Sequence, residues 1–485
     1  MVTSDTRATA WQAPLFLDGA WVDGSESSPV YDKFTGREIG QVARATREQV
    51  DRAVHAARRS FEREHLDGQR RYQILHDTAT LVEERRRDFI ERIVAEAGFP
   101  VADADNEVSR TIQTLLLSAE EGKRLSGEMV PIENAPGNAH RLAFTIRVPR
   151  GVVCGITSFN SPLNMVAHKL APALAAGNTV VIKPPQATPF SAVLLFELLL
   201  QAGLPPRHAA LVQGHGADVG RWLVEHPDIR FFSFTGSTAV GRLLQRSVGL
   251  RPITLELGSI SATIVCDDAD LERAAPRCVT AGFRRAGQVC TSLQRLFVQD
   301  TAVDSFTPLL IEAAGRMKVG DPRDAATMVG PMISEAEARR AEEWIAEAVA
   351  EGARVVHGGR RNGALFEPTI LAGSERHMKV MCEEVFAPVL SVIPFRTLEQ
   401  AVDDVNSVPF GLAAGVFTRD INRAMFAARA LHVGIVHINE PSSSRVDLIP
   451  FAGVKDSGLG REGPKYAMQE MTEERLITLS LENPR

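Results

Sequence analysis

Cysteine is scarce in this sequence, and its spacing excludes several kinds of site. The 485 residues contain five cysteines and no C-x-x-C pair. An odd number without such a pair argues against a disulfide framework or a zinc ribbon. It fits a reducing compartment, so we expect a cytoplasmic protein. The cysteines are Cys154, Cys266, Cys278, Cys290 and Cys382.

Long apolar runs, excess basic charge and metal-binding histidine motifs are also missing. The longest apolar candidate, residues 193–202, is interrupted by Glu197 and is shorter than the roughly 18 residues of a membrane span. The formal net charge is -6, which leaves no electrostatic footprint for nucleic acid. The twelve histidines include no H-E-x-x-H spacing, so we expect no metal site. Residues 1–7 are not followed by an apolar core, so no signal peptide is predicted.

The hydrophobic content of 44% is enough for a large core, and the length predicts two or three domains. Amphipathic helices are predicted over 47–63, 69–96 and 107–124. Strands (152–157, 179–183, 208–212, 229–234) then alternate with helices (166–176, 190–202, 219–225). This alternation predicts a doubly wound parallel sheet, and a second α/β domain is indicated between 335 and 416. Ligands of such sheets bind at the carboxyl ends of the strands.

One cysteine lies in a distinctive turn. Residues 282–291 place Cys290 between an apolar helix and a predicted strand over 293–298. A thiol there is a nucleophile if a neighbouring group takes its proton and another stabilises the oxyanion that forms. Free cysteines are more often buried small hydrophobes, so this segment alone is weak evidence.

Four further segments end predicted strands. Residues 234–241 open a helix with small residues suited to a pyrophosphate, although Arg242 excludes a Walker A motif. Lys183 is suited to ribose hydroxyls or a phosphate, or is a surface lysine. Glu256 lies in an apolar strand and is either a tuned base or half of a buried ion pair. The amide of Asn160 donates to an oxyanion or caps a turn.

Together these segments resemble the NAD(P)-dependent aldehyde dehydrogenase superfamily, of the non-phosphorylating, hydrolytic type. The resemblance covers essentially the whole chain. The motifs that carry it lie at 16–22, 234–238, 255–258, 287–290, 383–388, 409–413 and 450–462.

The resemblance implies a covalent mechanism. Cys290 would attack the aldehyde to form a thiohemiacetal, with the oxyanion between the Asn160 amide and the Cys290 N–H. After hydride transfer to the nicotinamide, Glu256 would deprotonate the water that hydrolyses the thioester. Lys169 and Glu462 match a proton path away from Glu256.

The resemblance also implies a cofactor site. Lys183 would bind the adenosine ribose and Glu384 the nicotinamide ribose, with Phe386 packed nearby. Gln186 stands where many NAD-preferring members have Glu. Since this removes a repulsion, we expect NADP to be favoured over NAD. The remaining predicted cofactor residues are Ile156, Thr157, Phe159, Gly216, Gly236, Ser237, Val240, Leu257 and Gly258.

The predicted substrate tunnel is polar and contains an arginine. This composition favours a semialdehyde, hydroxyaldehyde, phosphoaldehyde or phosphonoaldehyde, because arginine binds anions with a bidentate fork. Alternatively, Arg445 is structural, paired with Asp447 or another subunit, and the substrate is apolar or aromatic. The predicted substrate residues are Ser161, Asn164, Met165, His168, Arg445 and Phe451.

Three other functions are weighed against aldehyde oxidation to the acid. A CoA-acylating or phosphorylating dehydrogenase would not need Glu256 as a base. A non-catalytic scaffold would not need the complete set of Cys290, Glu256, Asn160 and Lys183. A cysteine hydrolase would need a histidine partner, and no histidine matches that position.

The family architecture predicts three parts. Residues 1–126 and 150–258 would form a cofactor domain and 259–456 a catalytic domain. Segments 127–149 and 457–485 would form a β arm that pairs with another subunit. Since an unpaired edge strand is a liability, a homodimer or homotetramer is expected.

Overall fold

The computed structural model describes residues 10–481. The prediction about an N-terminal signal, and the outer ends of the predicted segments 1–126 and 457–485, lie outside this range. Within residues 10–481, the five cysteines are unpaired and no helix is long and apolar enough to cross a membrane. The cytoplasmic location stays a prediction.

The strands are short and run through the whole described chain. In chain order they are β1 (Trp11–Ala13), β2 (Leu15–Leu17), β3 (Ala20–Val22), β4 (Glu26–Tyr31), β5 (Glu38–Arg44), β6 (Met129–Val130), β7 (Arg141–Pro149), β8 (Val152–Ile156), β9 (Thr179–Lys183), β10 (Ala209–Leu211), β11 (Ile229–Thr235), β12 (Ile253–Glu256), β13 (Ala262–Val265), β14 (Arg295–Gln299), β15 (Arg354–His357), β16 (Arg361–Asn362), β17 (Leu365–Phe366), β18 (Thr369–Ala372), β19 (Val389–Phe395), β20 (Phe410–Gly411), β21 (Ala413–Phe417), β22 (Ile435–Ile438), β23 (Val454–Lys455), β24 (Gly458–Leu459) and β25 (Thr472–Ser480).

Helices separate most of the longer strands. They are α1 (Arg47–Arg63), α2 (Gly68–Glu84), α3 (Arg86–Ala97), α4 (Val101–Gly122), α5 (Asn164–Ala175), α6 (Phe190–Gln201), α7 (Arg221–Glu225), α8 (Thr238–Ser247), α9 (Leu271–Phe283), α10 (Asp300–Gly315), α11 (Glu335–Ala350), α12 (Lys379–Cys382), α13 (Leu398–Asn406), α14 (Ile421–Ala430) and α15 (Pro464–Glu470).

An eight-stranded sheet forms the first unit, in the order β24-β12-β11-β8-β9-β10-β2-β3. The five central strands from β12 to β10 are parallel to one another. Every residue of β8 and β9 is buried, which is expected for parallel strands covered by helices on both faces. The carboxyl ends of these strands therefore meet at one edge of the sheet, where Glu256 ends β12 and Lys183 ends β9.

A seven-stranded sheet forms the second unit, in the order β15-β18-β19-β14-β13-β21-β22. Its strands are parallel except for β15, which pairs antiparallel with β18. Helix α9 and the short turn Arg284–Gly287 lead from β13 towards β14, and Cys290 lies in this connection. The predicted fold class, two doubly wound parallel sheets with a small β arm, is confirmed.

The arm is a three-stranded antiparallel sheet, β25-β7-β6. β25 pairs with β7 along nine residues, from Thr472 opposite Pro149 to Ser480 opposite Arg141. Two other elements of the predicted segment 457–485 belong to the first unit and not to the arm. β24 pairs with β12 in the eight-stranded sheet, and Ala467 and Met468 of α15 pack into the first core.

Two helices differ from the sequence prediction. The helix expected over 69–96 is two helices, α2 and α3, because the backbone at Arg85 leaves the helical conformation at φ -100° and ψ 17°. The helix expected from 107 already begins at Val101, directly after Pro100. Helical periodicity continues through both positions, so the apolar pattern does not reveal these boundaries.

Candidate active site

A cavity of about 250 Å³ lies where the two sheets face each other. It brings together eleven of the residues that the sequence predicts for catalysis or binding. These are Phe159, Asn160, Met165, Gly236, Ser237, Glu256, Leu257, Gly258, Cys290, Glu384 and Phe386. Ser158, Thr235, Glu337 and Arg340 complete the lining.

Cys290 follows a turn with an unusual backbone. Arg285 and Ala286 both have φ 53°, and Gly287 has φ 70°. Left-handed backbone at a residue other than glycine costs about 1–3 kcal/mol. A Cβ at Gly287 would lie 2.0 Å from the carbonyl oxygen of Ala387, so this position requires glycine.

The ligand-free Cys290 thiol is held in its protonated form. Burial raises the pKa of Cys290 to about 12, and the negative charge of Glu256 adds to the rise. The positive charge of Arg445 opposes it and lowers the pKa of Cys290. The side chain is still partly exposed to the cavity, so a substrate can reach it.

The side chain of Asn160 is held in one orientation. Its Oδ1 accepts a hydrogen bond from Ser158 Oγ at 2.7 Å, and its Nδ2 donates to the carbonyl oxygen of Gln288 at 3.0 Å. An amide nitrogen carries two N–H groups, so one is left for an oxyanion. The bond to Gln288 fixes this donor beside the Cys290 turn.

Glu256 is a buried carboxyl group at the end of β12. Glu256 is 4% exposed, and neither of its carboxylate oxygens has a hydrogen-bond partner within residues 10–481. Burial raises the pKa of Glu256 well above its ordinary value, and the negative charge of Glu462 raises it further. A carboxylate in this environment is a stronger base than one in water.

Lys169 and Glu462 form a buried ion pair next to Glu256. Lys169 Nζ lies 2.9 Å from Glu462 Oε1 and also donates to the hydroxyls of Ser233 and Thr235. Burial disfavours the ionised form of Glu462, but the charges of Lys169 and Arg445 outweigh it and lower the pKa of Glu462.

The predicted adenosine end contains buried polar groups that lack partners. Lys183 is 5% exposed, and its Nζ has one long contact, 3.4 Å to Pro184 O. Burial lowers the pKa of Lys183 to about 8. On the adjacent strand end, the Thr157 hydroxyl is buried without a hydrogen-bond partner among the described residues. A dinucleotide with ribose hydroxyls and phosphates fits these groups.

The other predicted cofactor residues lie along the same strand ends. The side chain of Ser237 caps α8 by accepting from the N–H of Val240, and Val240 is 44% exposed. Gln186 is half-buried, Ile156 ends β8, and Gly216 begins the π-helical turn before α7. At the opposite end, burial raises the pKa of Glu384 to about 7, and its Oε1 accepts from the N–H of Ser259. Phe386 packs edge-to-face on Phe159.

Three predicted substrate residues have polar atoms engaged within the protein. Ser161 Oγ donates to Glu107 Oε2 at 2.7 Å. His168 Nε2 lies 2.8 Å from Asp447 Oδ1, and Asn164 Nδ2 donates to the same oxygen at 3.3 Å. All three are nearly or fully buried. Buried carboxylates need such donors, and they occupy the donor groups of Ser161 and Asn164. His168 Nδ1, in contrast, is buried without a hydrogen-bond partner among the described residues.

Arg445 does not form the ion pair with Asp447 that was one possibility if Arg445 had a structural role. Asp447 instead makes a bidentate pair with Arg110. Arg445 Nη2 lies 3.3 Å from Glu462 Oε2, and the guanidinium stacks on Phe451 with its carbon 3.8 Å from the ring centroid. Arg445 Nε is buried and has no hydrogen-bond partner among the described residues.

Arg284 is a second arginine near Cys290, and the sequence analysis did not select it. Its Nη2 donates to Ser443 Oγ at 2.9 Å, and its Nε is buried without a partner. No ion pair to Arg284 occurs within residues 10–481. Burial lowers the pKa of Arg284 to about 10, and the neighbouring charge of Arg285 lowers it further. The sequence pattern that could have identified Arg284 is the pair of adjacent arginines, Arg284 and Arg285, shortly before Cys290.

A histidine cluster on the surface does not fit a metal ion. The ligand atoms of His55, His226 and Asp228 lie within 4.8 Å of one another. However, His226 Nδ1 accepts a hydrogen bond from the N–H of Asp228, so the ring proton is on Nε2, the nitrogen left for a ligand. Arg58 Nη1 also binds Asp228 at 2.9 Å. The cluster is therefore an ion-pair group.

The comparisons with known proteins identify one family. The model of the Aldehyde dehydrogenase family matches residues 21–477. A 3-sulfolactaldehyde dehydrogenase from Priestia megaterium is 45% identical over 97% of this chain and 98% of its own. The NADP-dependent glyceraldehyde-3-phosphate dehydrogenase from Bacillus halodurans, solved with NADP, has a TM-score of 0.95 and 35% identity, covering 97% of this chain and all of that one.

A third similar protein was solved with a reaction product bound. This is aldehyde dehydrogenase 21 from Physcomitrella patens, in complex with succinate, with a TM-score of 0.94 and 33% identity over 97% of this chain and 99% of that one. The matches span both sheets, the arm and the cavity. The chain therefore belongs to the aldehyde dehydrogenase family and is an NAD(P)-dependent oxidoreductase that acts on aldehydes.

Proposed function

We propose that this enzyme oxidises a small anionic aldehyde to the corresponding acid, with NADP preferred over NAD. The observation that carries the substrate class is the pair of guanidiniums near Cys290, Arg284 and Arg445, each with a buried Nε that lacks a partner. Both interact electrostatically with Cys290. A buried cation short of hydrogen-bond acceptors is costly and favours an anionic ligand.

The names of the similar proteins support this class. The relative from Priestia megaterium acts on 3-sulfolactaldehyde, and the Bacillus halodurans enzyme on glyceraldehyde 3-phosphate. The Physcomitrella patens enzyme holds succinate as its product. Sulfonate, phosphate and carboxylate are all compact anionic groups, and in these compounds each is separated from the oxidised carbon by only a few atoms. The alternative, an apolar aldehyde with a purely structural Arg445, would leave the buried Nε of Arg284 and of Arg445 without an acceptor.

In the proposed mechanism, Cys290 gives its thiol proton to solvent water, which its partial exposure admits, and attacks the aldehyde carbon as the thiolate. The oxyanion accepts from the free N–H of Asn160 and the backbone N–H of Cys290. Bound NAD(P) supplies the hydride acceptor; Lys183, Ser237 and Glu384 would hold it. Glu256 then takes a proton from the water that hydrolyses the Cys290 thioester. Lys169 and Glu462 lie beside Glu256 and would relay this proton away.

Replacing Glu256 by Gln should separate the two halves of the reaction. We expect one equivalent of NADPH per active site in a burst, followed by a steady-state rate about 100-fold or more below wild type, as is typical for loss of a general base. In the wild type, hydrolysis should accelerate as the pH rises through the raised pKa of Glu256, because the base must be ionised. Stopped-flow absorbance measures both phases.

The same experiment tests the acyl-transfer alternative. Added CoA should leave the wild-type rate unchanged if water is the acceptor. A Glu256→Gln enzyme that turns over at the wild-type rate, or a wild type that forms acyl-CoA, would reject the hydrolytic mechanism.

Removing either arginine should penalise anionic aldehydes selectively. For Arg284→Met and Arg445→Met, we expect kcat/KM for succinic semialdehyde to fall roughly 30- to 1000-fold, the range for unpairing a buried charge-assisted contact at about 2–4 kcal/mol. The value for hexanal should change less than about threefold in Arg284→Met. Arg316→Met, at the exposed position directly after α10, is the control and should behave as wild type. Equal losses for both aldehydes would show that the arginines are structural.

The cofactor preference rests on Gln186. A carboxylate at this position would repel the 2′-phosphate of NADP, and a neutral amide does not. We therefore expect Gln186→Glu to lower the NADP to NAD ratio of kcat/KM by roughly fivefold or more, from about 1 kcal/mol per charge pair. The control Gln201→Glu adds the same charge at an exposed position at the end of α6. An unchanged ratio in Gln186→Glu would contradict the assignment.

We also propose that the arm pairs with another subunit. Within residues 10–481, neither β25 nor β6 pairs with a strand outside the three-stranded sheet, and Leu476 and Leu479 of β25 are 57% and 43% exposed. Light scattering should give two or four times the chain mass of 52.8 kDa. The double variant Leu476→Arg/Leu479→Arg should have the mass of one chain. A wild type of one chain mass would reject the arm as an interface.

A further inference from the structure

A buried glutamate organises the loop that carries Asn160. Glu107 of α4 is 0% exposed, and its Oε1 accepts the N–H groups of Leu163 and Asn164, both at 3.1 Å. Its Oε2 accepts from Ser161 Oγ at 2.7 Å. Glu107 thus acts as the cap of α5 and binds three donors within the five residues that begin with Asn160.

An arginine from the cysteine turn binds the same glutamate. Arg285 Nη1 lies 2.9 Å from Glu107 Oε2 and donates to the carbonyl oxygen of Asn160 at 3.3 Å. The guanidinium also stacks on Phe99, with its carbon 4.3 Å from the ring centroid. Arg285 Nη1 therefore contacts both Glu107 and the backbone of Asn160, and so links the Asn160 loop to the turn five residues before Cys290.

Stability alone does not explain this ion pair. Taking two charges out of water costs more than their attraction returns unless their hydrogen-bonding groups are satisfied. Here Arg285 Nε and Nη2 are buried without hydrogen-bond partners among the described residues, and Nε lies 4.0 Å from Asp103 Oδ1. Arg285 also has a left-handed backbone conformation that most side chains avoid. The pair lies where the Asn160 loop meets the turn that leads to Cys290, so its geometry points to a positioning role.

We propose that Glu107 and Arg285 are positioning residues that hold the Asn160 amide at the correct distance from the Cys290 N–H, so that both donors reach one oxyanion. The proposal rests on the oxyanion role proposed above for Asn160. Displacing a catalytic group by about 1 Å costs about 100-fold in rate, so a brace that prevents such a shift has a large effect on catalysis. Neither residue lines the cavity.

The test uses p-nitrophenyl acetate, a neutral ester that acylates the nucleophilic cysteine without a cofactor, so it does not depend on the proposed substrate class. Arg285→Gln is the main variant, because Glu107 keeps its three other donors and the loop remains capped. We expect the first-turnover release of p-nitrophenolate to slow roughly 10- to 100-fold. Arg285→Lys should recover part of the loss. Arg323→Gln, which removes the partner of the buried carboxylate Asp32, is the matched control and should behave as wild type.

Two readouts separate positioning from general damage. In the Asn160→Ala background, Arg285→Gln should cause less than a threefold further loss, because the brace acts through Asn160. Alkylation of Cys290 by iodoacetamide forms no oxyanion, and its rate in Arg285→Gln should stay within threefold of wild type. Losses that multiply with Asn160→Ala, or slowed alkylation, would overturn the proposal.

The outcome for Asn160 distinguishes the two proposals. If Asn160→Ala acylates at the wild-type rate, the oxyanion role of Asn160 itself is wrong. If Asn160→Ala is slow while Arg285→Gln acylates at the wild-type rate, the oxyanion role stands and the positioning role of Glu107 and Arg285 is rejected.

Discussion

The ion pair between Lys169 and Glu462 is the contact on which the layout of the catalytic cavity depends. Lys169 is fully buried on α5 and also binds two hydroxyls of β11, so it anchors Glu462 to the eight-stranded sheet. The backbone of Glu462 pairs with that of Phe451. Breaking a buried pair of this kind leaves an uncompensated charge, which costs about 3–5 kcal/mol. The pair therefore fastens the C-terminal loop, with Phe451 and Arg445, to the eight-stranded sheet.

The same pair determines how the neighbouring carboxyl groups ionise. Lys169 and Arg445 favour the ionised form of Glu462, and the negative charge of Glu462 then favours the protonated form of Glu256. Two nearby carboxyl groups with opposite pKa shifts are typical of sites where one accepts protons and the other stays charged. Arg445 contacts Glu462 on one side and lies near Cys290 on the other. An anion bound at Arg445, as proposed above, would therefore be linked to the charge that tunes Glu256.

The sheets were predictable from sequence because fully buried parallel strands are apolar along their whole length. The strand predicted over 179–183 matches β9 to the residue, and the helix over 47–63 matches α1. The break at Arg85 was missed, since both helices continue the same apolar stripe. Ser161, Asn164 and His168 were expected to face a substrate. Their actual acceptors are Glu107 and Asp447, which lie 54 to 283 residues away in the chain, a separation that local pattern cannot reveal.

The arginine doublet before Cys290 illustrates what only the three-dimensional arrangement reveals. In sequence, Arg284 and Arg285 are equivalent neighbours between the same apolar residues. In the structure, Arg284 ends the helical geometry of α9 and Arg285 has φ 53°, so the two side chains leave the backbone in different directions. Arg285 binds a carboxylate and Arg284 binds only a hydroxyl. Because one charge is compensated within the protein and the other is not, the uncompensated arginine is the one suited to an anion from outside.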